Sequence, residues 1–187
     1  MPKLTTGDQM PNLDFSTHTR KDLSMEAALG GRRTIFWVLR YIGCTTCRYD
    51  VHLLSQRYEE FAARDTQVYV VMQSDPAVVV EDLNGQQLPF EIICDTDMNV
   101  YKTLAIPAAK DVDELLPKAS TEDAARWDAK CAVFDAAGFV HGKFEGDEMQ
   151  LPAFFLVSAD GMIEVAHYAE NIVDMPTIDT MLAMLDN

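Results

Sequence analysis

The chain reads as an α/β fold, a mixed central sheet with helices on both faces. Three observations predict it. Apolar runs at 34–39, 67–73 and 90–94 alternate with helical patterns, as parallel strands joined by right-handed crossovers do. An Asp160-Gly161 pair separates two more apolar runs, 153–158 and 162–168, the mark of an antiparallel hairpin. Between these parts lies a less regular stretch, about 107–150, read as a helical insertion before the late hairpin in a single domain of residues 1–187.

Each element has its own local reason. Residues 1–20 are polar, with Leu13 and Phe15 at strand spacing, and read as a loop or hairpin packed on the sheet. A short helix is expected over 23–29, ended by Gly30-Gly31. The run 34–39 is continuously apolar, the pattern of a strand buried on both faces. After a break at 40–43, Cys44-Thr45-Thr46-Cys47 opens a helix. Cys47, Val51, Leu54, Tyr58 and Phe61 share one face of it. A second buried strand covers 67–73. Ser74-Asp75-Pro76 supplies a cap and a first-position proline for a helix ending near Asn84-Gly85. A short strand at 90–94 precedes Asp95-Thr96-Asp97, which caps a helix from 98 to about 104.

Within the insertion, Ser120-Thr121-Glu122-Asp123 resembles a capping box. Ala124, Trp127, Cys131 and Phe134 mark one helical face after it, and Gly138 stops the helix. Residues 139–149 are loop-like. The last helix is expected from Pro176, with Ile178, Met181, Leu182 and Leu185 inward.

Composition narrows the function. A net charge of −15 argues against nucleic-acid and anionic membrane partners, which need clustered Lys and Arg. The chain has no N-terminal apolar core of a leader and no membrane-spanning apolar run, so a cytoplasmic location is expected. Four cysteines in 187 residues are too few for a disulfide scaffold. In a reducing compartment a C-x-x-C is then catalytic or metal-binding more often than structural.

Cys44 and Cys47 sit where a buried strand feeds a helix. Three residues apart, they can close a disulfide. The free N–H groups and positive end of the first helical turn favour a thiolate at Cys44. Cys47 lies on the buried stripe. The spacing therefore predicts an exposed, attacking Cys44 and a buried, resolving Cys47. Inert buried thiols and half of a zinc site are the alternatives, the latter needing Cys94, Cys131 or a histidine close by. Arg40 and Arg48 flank the pair and are possible thiolate stabilisers. Cys94 and Cys131 read as packing residues, His141 and His167 as lone histidines, and Asp95 and Asp97 as helix caps.

The C-x-x-C after a buried strand, and Leu151-Pro152-Ala153-Phe154-Phe155-Leu156-Val157 before the Asp-Gly hairpin, resemble the thioredoxin fold. Gly7, Pro11-Asn12-Leu13 and Leu88-Pro89-Phe90-Glu91-Ile92-Ile93-Cys94-Asp95 resemble its peroxiredoxin branch, the alkyl hydroperoxide reductase and thiol-specific antioxidant family. The likeness spans roughly 4–168. It implies a cis Leu151–Pro152 bond, with Pro152, Thr45 and Thr46 shaping a substrate groove. In the peroxiredoxin register Arg40 takes the place of a proline, Cys44 of a threonine and Cys47 of the peroxidatic cysteine, while Pro152 replaces the pocket arginine.

The leading expectation is a thiol–disulfide oxidoreductase. The resemblance adds a thiol peroxidase in which Cys47 attacks and Cys44 resolves. A non-catalytic redox sensor or adaptor is the reading from another class. No cofactor is implied. The partners expected are a disulfide protein or small peroxide as substrate and a thiol protein as electron donor.

Overall fold

The computed structural model describes residues 2–186. Two short strands, β1 (Asp14–Phe15) and β2 (Leu23–Ser24), pair antiparallel. They lead into α1 (Met25–Leu29). The Ser24 hydroxyl accepts from the Ala27 N–H and Gly30 closes the helix in the left-handed region. Leu23 and Ser24 were expected inside this helix. They belong to β2 instead, because Ser24 is the cap and the helix can only start after it.

The core of the fold follows in order: β3 (Arg33–Val38), α2 (Thr45–Ala62), β4 (Thr66–Met72), α3 (Pro76–Leu83), β5 (Glu91–Cys94) and α4 (Asn99–Thr103). The segment after it carries α5 (Val112–Leu115) and α6 (Glu122–Ala137). The hairpin β6 (Ala153–Val157) and β7 (Ile163–Tyr168) comes next, then α7 (Ile178–Leu185). The last helix starts two residues after Pro176 because the Thr177 hydroxyl caps it, accepting from the Thr180 N–H.

Five strands form one sheet in the order β5-β4-β3-β6-β7. β3 and β5 flank β4 in parallel, and β6 and β7 run antiparallel. β3 is central and buried on both faces, as its unbroken apolar run requires. Its alternate side chains feed two cores. Ile35 and Trp37 pack with Leu54 and Phe61 of α2 and Met181 of α7. Phe36 and Val38 pack with Met25 of α1 and Tyr101 of α4. Leu54 is fully buried, which stabilises the α2 contact by about 1.5–3 kcal/mol.

Asp95 caps α4 from four residues ahead, its carboxylate accepting from the N–H groups of Asn99, Val100 and Tyr101. The segment 107–150 leaves and returns at one place: the Ala109 N–H donates to the Met149 carbonyl and the Leu151 N–H to the Pro107 carbonyl. Thr121 caps α6 and Gly138 ends it in the left-handed region. Phe134 is the buried residue of α6, with Trp127 and Cys131 only half-buried, so the face read from the sequence packs shallowly. Among the described residues no helix is long and apolar enough to cross a membrane.

Candidate active site

The loop from β3 to α2 is tied down before the cysteines begin. The Tyr101 hydroxyl donates to the Leu39 carbonyl at 2.7 Å. The Gln73 N–H donates to the Arg40 carbonyl at 2.9 Å and the Ile42 N–H to the Ser74 hydroxyl at 2.8 Å. These bonds fix the loop to the end of β4 and to α4. Cys44 then takes the N-cap of α2 with an extended backbone, and Cys47 lies in the first turn.

Both sulfurs are buried. Cys44 is 2% exposed and Cys47 3%, so the exposed Cys44 expected from its place at the helix start is not found. The 139–149 loop lies over the residue next to Cys44. The Gly142 N–H donates to the Gly43 carbonyl at 2.7 Å. The approach is so close that a Cβ on Gly43 would collide with the Lys143 carbonyl oxygen. Further ties hold the loop: Gln73 exchanges two hydrogen bonds with the Asp147 backbone, and Glu145 accepts from the Ser74 hydroxyl.

The Cys44 sulfur makes no regular cap bond, and its near contacts are side chains. Arg40 Nη1 donates to it at 3.6 Å and the Thr46 hydroxyl lies at 3.2 Å. The same hydroxyl is 3.9 Å from the Cys47 sulfur. The Cys44 thiol is held well below the ordinary thiol value, down to about 5. The Cys47 thiol, acting as donor, is the largest cause; burial opposes it, and Arg40, then Thr46, then the Cys47 backbone N–H of the first helical turn add to it. Cys47 is pushed the other way by its burial and by the Cys44 thiolate beside it. One sulfur carries the charge and the other keeps the proton.

The AhpC/TSA family model matches residues 6–166. The chain belongs to the AhpC/TSA family. Solved structures agree on the fold. A cysteine-to-serine variant of peroxiredoxin 6 from Arenicola marina matches with a TM-score of 0.72 at 14% identity, over 98% of this chain and 72% of that one. The peroxidoxin BcpB from Mycobacterium tuberculosis matches with 0.69 at 11%, over 98% and 97%. A yeast mitochondrial 1-Cys peroxiredoxin matches with 0.67 at 15%, over 98% and 75%. Among curated proteins no sequence match is found. The fold is therefore thioredoxin-like, of the peroxiredoxin branch, and this AhpC/TSA protein is a thiol-dependent oxidoreductase.

The other flanking residues divide. Arg40 is buried, its guanidinium bridging the Cys44 sulfur and the Glu148 carbonyl over the Tyr41 ring. Arg48 turns away to the Asp82 carboxylate at 3.0 Å and the Val140 carbonyl at 2.8 Å. Thr46 is buried between the sulfurs, and Thr45 is half-buried. Pro152 is buried one step beyond the Val38–Ala153 pair, beside the end of β3.

The cis bond expected at Leu151–Pro152 is not present; the bond is trans. Trans is the cheaper form by about 0.5–1 kcal/mol. Pro152 precedes the first ladder residue, so its missing N–H costs the sheet no bond. The carbonyls of Leu151 and Pro152 accept from Gln150 Nε2 and the Ala169 N–H.

Cys94 is buried and its thiol is pushed up to about 12, chiefly by burial. Cys131 is half-buried on α6, its thiol also raised by burial. Among the described residues no group of three or more His, Cys, Asp or Glu could hold a metal ion. His141 reaches the site through Tyr41. Its Nδ1 lies 2.8 Å from the Gly142 carbonyl and its Nε2 3.1 Å from the Tyr41 hydroxyl. His167 faces Asp174 instead. Tyr41, Tyr101, Ser74 and the 139–149 loop were missed from the sequence. The one available signal was the paired Gly43 and Gly142, whose missing side chains let two backbones meet.

Proposed function

We propose that this AhpC/TSA protein reduces small peroxides through a Cys44 thiolate and closes a Cys44–Cys47 disulfide. The observation that carries the reading is the burial of both sulfurs, 2% and 3% exposed, with the Arg40 guanidinium 3.6 Å from the Cys44 sulfur. At a pKa of about 5, Cys44 is about 99% thiolate at neutral pH. Burial of both sulfurs favours a small substrate over a folded protein.

The Cys44 sulfur attacks one peroxide oxygen. The O–O bond breaks, an S–O bond forms, and the departing oxygen leaves as alcohol or water after taking a proton. Cys44 is then a neutral sulfenic acid: burial still raises Cys47, but the thiolate charge that added to it is gone and Arg40 still lowers it. Cys47 loses its proton and attacks the Cys44 sulfur, and the hydroxyl leaves as water. A thiol protein returns two electrons to the disulfide by exchange. This order assigns attack to Cys44, not to Cys47 as the peroxiredoxin register would have it.

Thiol–disulfide exchange with a protein substrate is the second reading. A low first thiol and a high second thiol suit that reaction equally well. The reduced protein should be offered hydrogen peroxide and, separately, the disulfides of insulin. Rapid peroxide loss with intact insulin supports the first reading. Insulin reduction with peroxide left untouched transfers the proposal to the second.

A further inference from the structure

We propose that Arg40 latches the 139–149 loop while Cys44 is reduced, and that closing the Cys44–Cys47 disulfide releases the loop. The inference rests on the disulfide of the proposed function and adds a change of shape to it.

Arg40 is 6% exposed and joins the reactive sulfur to the loop. Its Nη1 donates to the Cys44 sulfur at 3.6 Å and its Nη2 to the Glu148 carbonyl, while Nε meets no acceptor among the described residues. A second link runs through Tyr41. The guanidinium lies over its ring, 5.1 Å from the centroid, and its hydroxyl stands 3.1 Å from His141 Nε2 on the loop. A carbonyl and a ring carry no net charge. Among these partners only the Cys44 thiolate balances the buried cation.

The disulfide removes that balance. Each sulfur gives one electron to the oxidant, the S–S bond forms, and neither sulfur is charged afterwards. A buried cation whose anion has gone is strongly unfavourable, and arginine cannot escape by losing its proton. The guanidinium must turn toward water or a carboxylate. Its Nη2 already meets the backbone of Glu148, an exposed residue, so that turn disturbs the loop. The other ties of the loop are hydrogen bonds, from the Gly142 N–H to the Gly43 carbonyl, from Arg48 to the Val140 carbonyl and from the Ser74 hydroxyl to Glu145. Each contributes less than the loss of a buried ion's partner costs. Release is therefore more frequent opening of the loop, not its detachment.

The test is amide hydrogen exchange, read by mass spectrometry on the full chain, reduced and after oxidation with diamide. Diamide takes two electrons and two protons from the thiols without any peroxide, and intact mass verifies the disulfide. The 139–149 peptide should exchange roughly tenfold faster or more in the oxidised protein, with β3 unchanged. In Arg40→Met the difference between the two states should vanish. Cys44→Ser removes the anion, keeps Arg40 and needs no oxidation, so its loop should exchange as fast as that of the oxidised wild type. This variant decides should Arg40→Met fail to fold or the disulfide fail to close, and a disulfide that does not close counts against the proposed function. The latch is overturned by any of three results: equal loop exchange in both states of the wild type, a redox difference that persists in Arg40→Met, or a Cys44→Ser loop as protected as that of the reduced wild type.

Discussion

Arg40→Met removes the one cation that, among the described residues, bonds the Cys44 sulfur, and nearly preserves the side chain's length. At an effective dielectric of about 20, unit charges 3.6 Å apart attract by about 5 kcal/mol. That is a ceiling, because the guanidinium charge is spread and also serves the Glu148 carbonyl. Arg40 also stands behind the Cys47 thiol among the causes that lower Cys44. A rise of about two units in the Cys44 pKa, or about 3 kcal/mol, is the expected effect. The assay is the ultraviolet absorbance of the thiolate, titrated on the reduced protein. Cys47, Cys94 and Cys131 are all raised, so a single step below neutral belongs to Cys44. Its midpoint should move from about 5 to about 7. At pH about 6 the thiolate fraction should drop from about nine-tenths to about one-tenth. A midpoint unmoved in a folded Arg40→Met protein would refute the role given to Arg40.

The lid and the loop supports make their own predictions. Gly43→Ala places a Cβ against the Lys143 carbonyl, so it should lift the 139–149 loop and speed maleimide labelling of Cys44 several-fold, at a stability cost of about 1–3 kcal/mol; labelling no faster than wild type would show that this loop is not what covers the sulfur. Tyr101→Phe loses the hydroxyl bond to the Leu39 carbonyl and should cost about 1 kcal/mol in denaturant unfolding. Leu54→Ala should cost about 2–5 kcal/mol by the same measurement, since Leu54 is fully buried under α2. The pH dependence of stability follows from Cys44. Its folded pKa is depressed, so between about 5 and the unfolded value of about 8.5 the unfolded chain binds more protons. Stability from this group is complete above about 8.5 and is lost as pH falls toward 5. Cys44→Ser should remove that slope from the unfolding free energy; an unchanged slope would assign it elsewhere.

Local signals carried most of the fold. The buried runs of β3 and β4, the Asp75-Pro76 start of α3, the Asp95 cap and the Asp160-Gly161 hairpin are each set by residues next to one another. The stripe from Cys47 to Phe61 likewise put one face of α2 into the core. Two of the misses share one cause, contacts between residues distant in sequence. The residue next to Cys44 is met by a loop about a hundred residues away, a contact no helix-terminus argument could supply. Arg40 and Arg48 look equivalent as neighbours of a dithiol. They part only because Asp82 and the Val140 carbonyl draw Arg48 outward, while Glu148 holds Arg40 inward. The Leu151–Pro152 bond was read from its place in the fold. The trans isomer found there is the one proline adopts by default.

The central claim is that Cys44 is oxidised first and Cys47 resolves it. Intact mass after one equivalent of hydrogen peroxide tests it on the reduced wild type, Cys44→Ser and Cys47→Ser. Wild type should lose two hydrogens, and peptide mapping should join Cys44 to Cys47. Cys47→Ser should gain one oxygen on Cys44, and Cys44→Ser should stay unchanged. An oxygen gained on Cys47 in Cys44→Ser, with Cys47→Ser inert, would contradict the account and make Cys47 the attacking sulfur.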